Sequence, residues 1–226
     1  MKKLLIVVCA LALAGCAGMT PAQMDKNSAS AFQGTPLTTV TYKKPGFSAM
    51  TYGRVAAGAL FGAIGGAAAG ASSISAGNEI IDDNVVPDPA IAIMAEAAPK
   101  IAARLKTSAT TALTDHSAND EKDLAAEAGD KGVVLDVQTL GWSFIYFPLD
   151  WTHYRVLHIA RARLIDAGTG KVIALVPCKY DSGDDKSAPA PDYDTLLADH
   201  AAVLKAKLAE ATSACAAKIE TTMLGG

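Results

Sequence analysis

The chain has 226 residues, 50% of them hydrophobic and 19% charged, with a mean hydropathy of +0.23, a balance that excludes a disordered or collagen-like chain. Lys plus Arg number 20 against 23 Asp plus Glu, a net charge of −3, so no basic footprint for nucleic acid exists. One folded domain of ordinary size is the expectation.

The N-terminus speaks about location. Met1-Lys2-Lys3 is a short positive start, an apolar run follows from Leu4 to Leu13, and Leu13-Ala14-Gly15-Cys16 closes it. That run is about half of the ~20 apolar residues a helix needs to cross ~30 Å of hydrocarbon, so it reads as a secretory signal. The Leu13-Ala14-Gly15-Cys16 tetrapeptide resembles the lipobox of bacterial lipoproteins. The resemblance implies removal of residues 1–15, diacylation of the Cys16 thiol and acylation of the new amino terminus. Each buried CH₂ contributes about 0.8 kcal/mol, so two or three acyl chains anchor firmly in a membrane. Ala17, rather than aspartate, follows the cysteine, which in that family implies the outer membrane, facing the periplasm.

With Cys9 in the signal and Cys16 lipidated, Cys178 and Cys215 remain for an oxidising compartment. A Cys178 to Cys215 disulfide is predicted, two buried free thiols being the alternative. Neither has a histidine or a second cysteine at ligand spacing, so no metal site is expected; Gly58 to Gly66 lacks the G-x-G-x-x-G spacing and no Walker lysine follows, so no nucleotide cofactor is expected.

Residues 16–36, rich in Ala, Ser, Thr, Pro, Gln and Gly, read as a lipidated flexible tether spanning about 25 Å as a coil. Residues 37–226 then form one periplasmic domain. Leu37-Thr38-Thr39-Val40-Thr41-Tyr42 reads as a first strand, stopped by Lys43-Lys44-Pro45-Gly46. In residues 55–78, Gly58, Gly62, Gly66 and Gly70 recur every four positions, the spacing of a glycine zipper, which lines one helical face and lets another backbone approach. Each Gly costs about 1 kcal/mol against Ala in a helix. Two readings follow: a membrane-inserting or self-associating helix, or a helix or helical hairpin packed on its own domain. Asp88-Pro89 marks a helix start, with Ile91, Met94, Ala95, Ala98, Ile101, Ala102 and Leu105 as its apolar stripe and a kink at Pro99. Residues 114–131 are polar, with a short helix around Glu121–Ala128.

Val133, Leu135 and Val137 alternate as in a half-buried strand. Residues 154–166 and 171–180, joined at Ala167-Gly168-Thr169-Gly170, predict an antiparallel pair. After an acidic loop at 181–192, a long helix over 193–223 carries Leu197, Ala201, Leu204, Leu208, Ala211, Cys215 and Ile219 in a stripe. Val172, Ala174, Val176 and Cys178 share one strand face, which makes the bridge to Cys215 geometrically natural. The fold class is α+β: one domain, an antiparallel sheet packed by helices, with a glycine-zipper helix or hairpin and a long C-terminal helix.

Trp142, Phe144, Tyr146, Phe147, Trp151 and Tyr154 crowd into residues 142–154, either as core at the end of the sheet or as contacts to a partner or a membrane interface. Asp150 and His153 are the candidate acid–base pair of an enzyme, unaccompanied by G-x-S-x-G or H-E-x-x-H. His153 and His158 fall on opposite strand faces and cannot chelate together, and Arg161 with Arg163 reads as a solvated polar row. The function these features favour is a lipid-anchored outer-membrane lipoprotein that binds or scaffolds an envelope partner without catalysis. A glycine-zipper oligomer or membrane-inserting protein, and a periplasmic enzyme using Asp150 and His153, are the alternatives.

Overall fold

A long hairpin organises the sheet. In the computed structural model, which describes residues 19–25, 28–59, 62–116, 120–185, 187 and 189–223, strands β4 (Val133–Phe147) and β5 (Asp150–Asp166) pair antiparallel along their whole length. β6 (Lys171–Asp181) continues antiparallel on β5, as the turn residues predict. On the other side of β4, β1 (Leu37–Tyr42) and β2 (Phe47–Met50) run parallel to it, one after the other. β3 (Thr110–His116) adds parallel to β1 at the edge. The order is β3-β1-β4-β5-β6, with β2 also on β4. The sheet is therefore mixed rather than purely antiparallel. A parallel partner needs a long crossover, and three helices lie between β2 and β3: α1 (Tyr52–Ala59), α2 (Gly62–Asp83) and α3 (Pro89–Leu105).

α3 and α5 (Tyr193–Met223) pack on each other and against the sheet. The main core holds Val133, Leu135 and Val137 of β4 with Ala160, Ala162 and Leu164 of β5 beneath Ile93, Ala97 and Ile101 of α3 and Cys215 and Ile219 of α5. The helix start is as predicted: Asp88 caps α3 by accepting the Ala90 N–H, and Pro89 opens the first turn. Its buried stripe is Ala90, Ile93, Met94, Ala97, Ala98, Ile101 and Leu105, rotated from the predicted one, so that Ile91 and Ala95 face outward. Cys178 and Cys215 form the predicted disulfide between β6 and α5, with Cα atoms 5.7 Å apart. α5 turns left-handed at Asp199, His200 and Ala201.

Two expectations change. In the segment read as a flexible tether, Ala22, Met24 and Phe32 are docked. Ala22 exchanges hydrogen bonds of 2.9 and 2.8 Å with Leu175, and the Met24 N–H donates to the Met223 carbonyl at 3.1 Å. Met24 and Phe32, the latter in a 3₁₀ turn at Ser28–Phe32, enter the core; two apolar side chains suffice to fasten an otherwise polar segment. The Arg161 and Arg163 row is not solvated either. α4 (Glu121–Ala128) covers that face, and Arg163 bonds both Asp136, which is fully buried, and Glu121. Signal residues 1–15 and Cys16 lie outside the described residues.

The described residues of the glycine segment are helical, with α1 packed on α2. Gly58 is buried, but an added Cβ at Gly66 or Gly70 would meet nothing within 4 Å, and what surrounds Gly62 lies outside the described residues. The close approach falls elsewhere: a Cβ on Gly77 would sit 2.0 Å from the Phe47 carbonyl oxygen. Among the described residues, no helix is long and apolar enough to cross a membrane.

Candidate binding surface

The β4–β5 hairpin separates its aromatic residues by depth. Trp142 and Phe144 are buried; they belong to a second core with Phe47, Tyr154 and Leu204, so they are not surface contacts. Burial there follows from pairing with β2, since Phe47 lies edge-on to both rings, and the Trp142 indole N–H donates to the Pro45 carbonyl at 3.0 Å. Tyr146 and Phe147, nearer the turn, are half-buried. Trp151 is 52% exposed.

At the turn itself the surface becomes apolar. Leu149 is 100% exposed. Trp151 stacks on Tyr52 of α1 with centroids 4.2 Å apart and planes within 4°, while Tyr52 meets Tyr146 edge-on. The Trp151 N–H donates to the Pro148 carbonyl at 3.1 Å, so the ring can lose its water without orphaning its donor. Leu149 and Tyr52 escape sequence reasoning. One aliphatic residue in a turn gives no pattern, and Tyr52 reaches the hairpin only through the tertiary fold.

Asp150 and His153 do meet, Oδ2 to Nδ1 at 2.6 Å. The Thr152 hydroxyl donates to Asp150 Oδ1 at 2.8 Å, and that bond, followed by the His153 contact, holds the Asp150 carboxyl below its usual range. The side chains are 49% and 44% exposed, with a shallow recess of about 480 Å³ beside Asp150 lined by Phe147, Pro148, Leu149 and Ala190. Nothing encloses the pair, so its hydrogen bond competes with bulk water. Chemically the arrangement fixes the turn, with Thr152 bonded back onto Asp150.

His158 occupies the opposite environment. It is fully buried, at the seam where α3 begins over the sheet. The Thr139 hydroxyl donates to Asp88 Oδ1 at 2.5 Å and lies 3.1 Å from His158 Nε2. An ionised carboxylate only accepts, so the threonine proton points to Asp88 and Nε2–H donates to the threonine oxygen. Nδ1 has no hydrogen-bond partner among the described residues. Burial pushes His158 down to about 4 and Asp88 upward, against the hydrogen bonds from Thr139 and Ala90.

Taken together, these features define a single α+β domain with a polar seam inside and an apolar, solvent-facing hairpin end. No family model and no curated protein matches the chain. Among solved structures, a neuraminyllactose-binding hemagglutinin homolog from Helicobacter pylori is similar at 10% identity over 90% of this chain and 87% of that one, with a TM-score of 0.33. Lipoprotein GNA1162 from Neisseria meningitidis is similar at 16% identity over 68% of this chain and 88% of its own, with a TM-score of 0.24. Identities this low do not say what the present chain binds.

Proposed function

We propose that the chain is a lipid-anchored protein of the bacterial outer membrane, held through Cys16 and facing the periplasm, that binds an envelope protein through the end of its β4–β5 hairpin without catalysing a reaction. The lipobox supports the anchor. The observation that carries the binding role is Leu149, wholly exposed beside the stacked Trp151 and Tyr52. Apolar side chains grouped on a bonded turn gain most when a partner removes them from water, and aromatic anchors of this kind dominate interface energies. Asp150 and His153 then help to hold the turn.

The test places a photo-crosslinking residue at position 149 in intact cells. A discrete adduct that is lost on Trp151→Ala is expected. Labelling no stronger than from a control at exposed Asp184 would overturn the binding role. The anchor is tested separately, by exporting a Cys16→Ser form from a cleavable signal. Release from membranes on carbonate washing is expected, and retention would mean that residues 55–78, rather than the lipid, hold the protein.

A further inference from the structure

The turn between α2 and α3 breaks a local rule. α2 closes with Val86 N–H donating to the Ile81 carbonyl at 2.8 Å and Val85 N–H donating to that of Asp82 at 3.2 Å, the paired bonds of a Schellman motif. The left-handed residue that this motif requires is ordinarily Gly or Asn. Here it is Val85, with φ 52°, a β-branched side chain poorly suited to that region. The strained turn is held by those two bonds and by Val86, buried with Ile81 in the second core, whereas the Val85 side chain itself stays 81% exposed. Nearby Ile91, turned out of the core stripe, is 52% exposed. A β-branched side chain poorly suited to this backbone and left in water is free to make a contact outside the chain.

Beside this knob lies a matching hole. An apolar groove of about 480 Å³ runs between α3 and α5, bordered by Val85 and lined by Pro89, Ala92, Leu208 and Ala209, with Glu96 from α3 and Lys205 from α5 also in its wall. Glu96 and Lys205 form no ion pair with each other among the described residues. We infer that this face is the interface of a homodimer, in which Val85 of each copy seats in the α3–α5 groove of the other. A twofold interface needs one patch that is complementary to itself, and here knob and hole adjoin on one face. Charge agrees: a wall with one carboxylate and one ammonium matches its own twofold copy, Glu96 of each subunit meeting Lys205 of the other. A lipid chain in the groove would offer neither charge a counterpart. The inference does not depend on the hairpin end or on its partner.

The experiment is sedimentation equilibrium of the full chain, purified from membranes, in density-matched detergent. Two copies per particle are expected. Val85→Gly supplies the residue that the motif prefers, so it folds at least as well and melts higher when dilute, yet its dimer dissociation constant rises about tenfold or more. Glu96→Lys weakens the dimer similarly, and adding Lys205→Glu restores it. A monomeric wild-type chain at every attainable concentration, an unchanged dissociation constant in Val85→Gly, or failure of the double charge swap to restore association would each overturn the inference; occupation of the groove by a different protein would be seen as the first of these.

Discussion

Lowering the pH should cost this protein stability through His158 in particular. The folded chain holds that imidazole neutral, with its pKa at about 4 against a reference of 6.5. Because the folded value is depressed, the native state benefits fully above 6.5 and loses that benefit as the pH falls towards 4. At 1.36 kcal/mol per unit, the shift corresponds to about 3 kcal/mol. The physical cause is burial, with Thr139 Oγ1 as the one hydrogen-bond partner and Nδ1 left bare among the described residues, so protonation would create a buried charge without a second acceptor. The assay is urea unfolding of the wild type and of His158→Gln, which bonds Thr139 but never titrates, at pH values of about 7.5 and 4.5. The wild type should lose about 2.5 kcal/mol more than the variant across that interval. Asp88 remains in both proteins and cancels, while the lowered carboxyls of Asp150, Asp185 and Asp192 titrate below the window. Equal losses in the two proteins would refute the assignment of a buried neutral histidine.

Three further outcomes follow from the packing. Replacing Cys178 and Cys215 by Ala opens a crosslink with a sequence separation of 37; the chain-entropy model gives about 4 kcal/mol, or roughly 8–16 °C in thermal unfolding of a domain this size, and a drop of less than about 2 °C would contradict it. Gly66→Ala fills open space and should stabilise by up to about 1 kcal/mol, whereas Gly77→Ala drives a Cβ onto the Phe47 carbonyl and should destabilise by about 2 kcal/mol or more; thermal unfolding that ranks the two the other way would reject the assignment of Gly77 as the close-approach position. Asp136→Asn removes the buried carboxylate that Arg163 and Arg161 share beneath α4, leaving Arg163 to Glu121 and Arg161 to Gln138, and should lose about 3–5 kcal/mol in denaturant unfolding, most of it recovered by adding Arg163→Met, while a loss near zero would show that water reaches the cluster.

The elements legible in the sequence were those whose signals are local. The Ala167-Gly168-Thr169-Gly170 turn, flanked by β-branched runs, is a pattern that little else satisfies, and β5 and β6 pair across it. The Asp88-Pro89 cap and the Cys178 and Cys215 faces are likewise set by nearest neighbours along one element. β3 escapes sequence reading because Thr110–His116 is mostly exposed, with only Leu113 and His116 half-buried, and carries no burial alternation, its strand character coming from β1 beside it. The α3 stripe slipped for a related reason: alanine occupies so many positions that several rotations of the helix look equally apolar, and the choice is made by β4 and α5. Arg161 and Arg163 misled in the opposite direction, since charge predicts water unless a carboxylate such as Asp136 is known to sit across the strand pair. At the candidate site, Trp151 was legible as an aromatic next to a turn. The division between Trp142 and Phe144 inside and Trp151 outside depends on β2, a strand whose parallel partner lies 95 residues away along the chain.

The docked segment also fixes how a lipid at Cys16 would present the domain. Ala22 is held against Leu175, so only the five residues 17–21 separate that fastened position from the proposed anchor, a reach of at most ~22 Å. Leu175 pairs with Arg163 of β5, and the hairpin end at Asp150 lies about thirteen residues further along that strand, ~43 Å at 3.3 Å per residue. Were Cys16 lipidated, a tether this short would hold the β6 edge near the bilayer, with the hairpin end able to meet a partner away from it. With Trp142→Phe, Trp151 becomes the sole indole of a chain that has 2 tryptophans, and the lipidated protein can be reconstituted in vesicles containing brominated phosphatidylcholine. Its emission should resist the brominated lipid and yield to aqueous acrylamide. Strong quenching by the lipid would instead place Leu149 and Trp151 in the membrane interface, making the bilayer itself, rather than an envelope protein, the surface that this end of the sheet recognises.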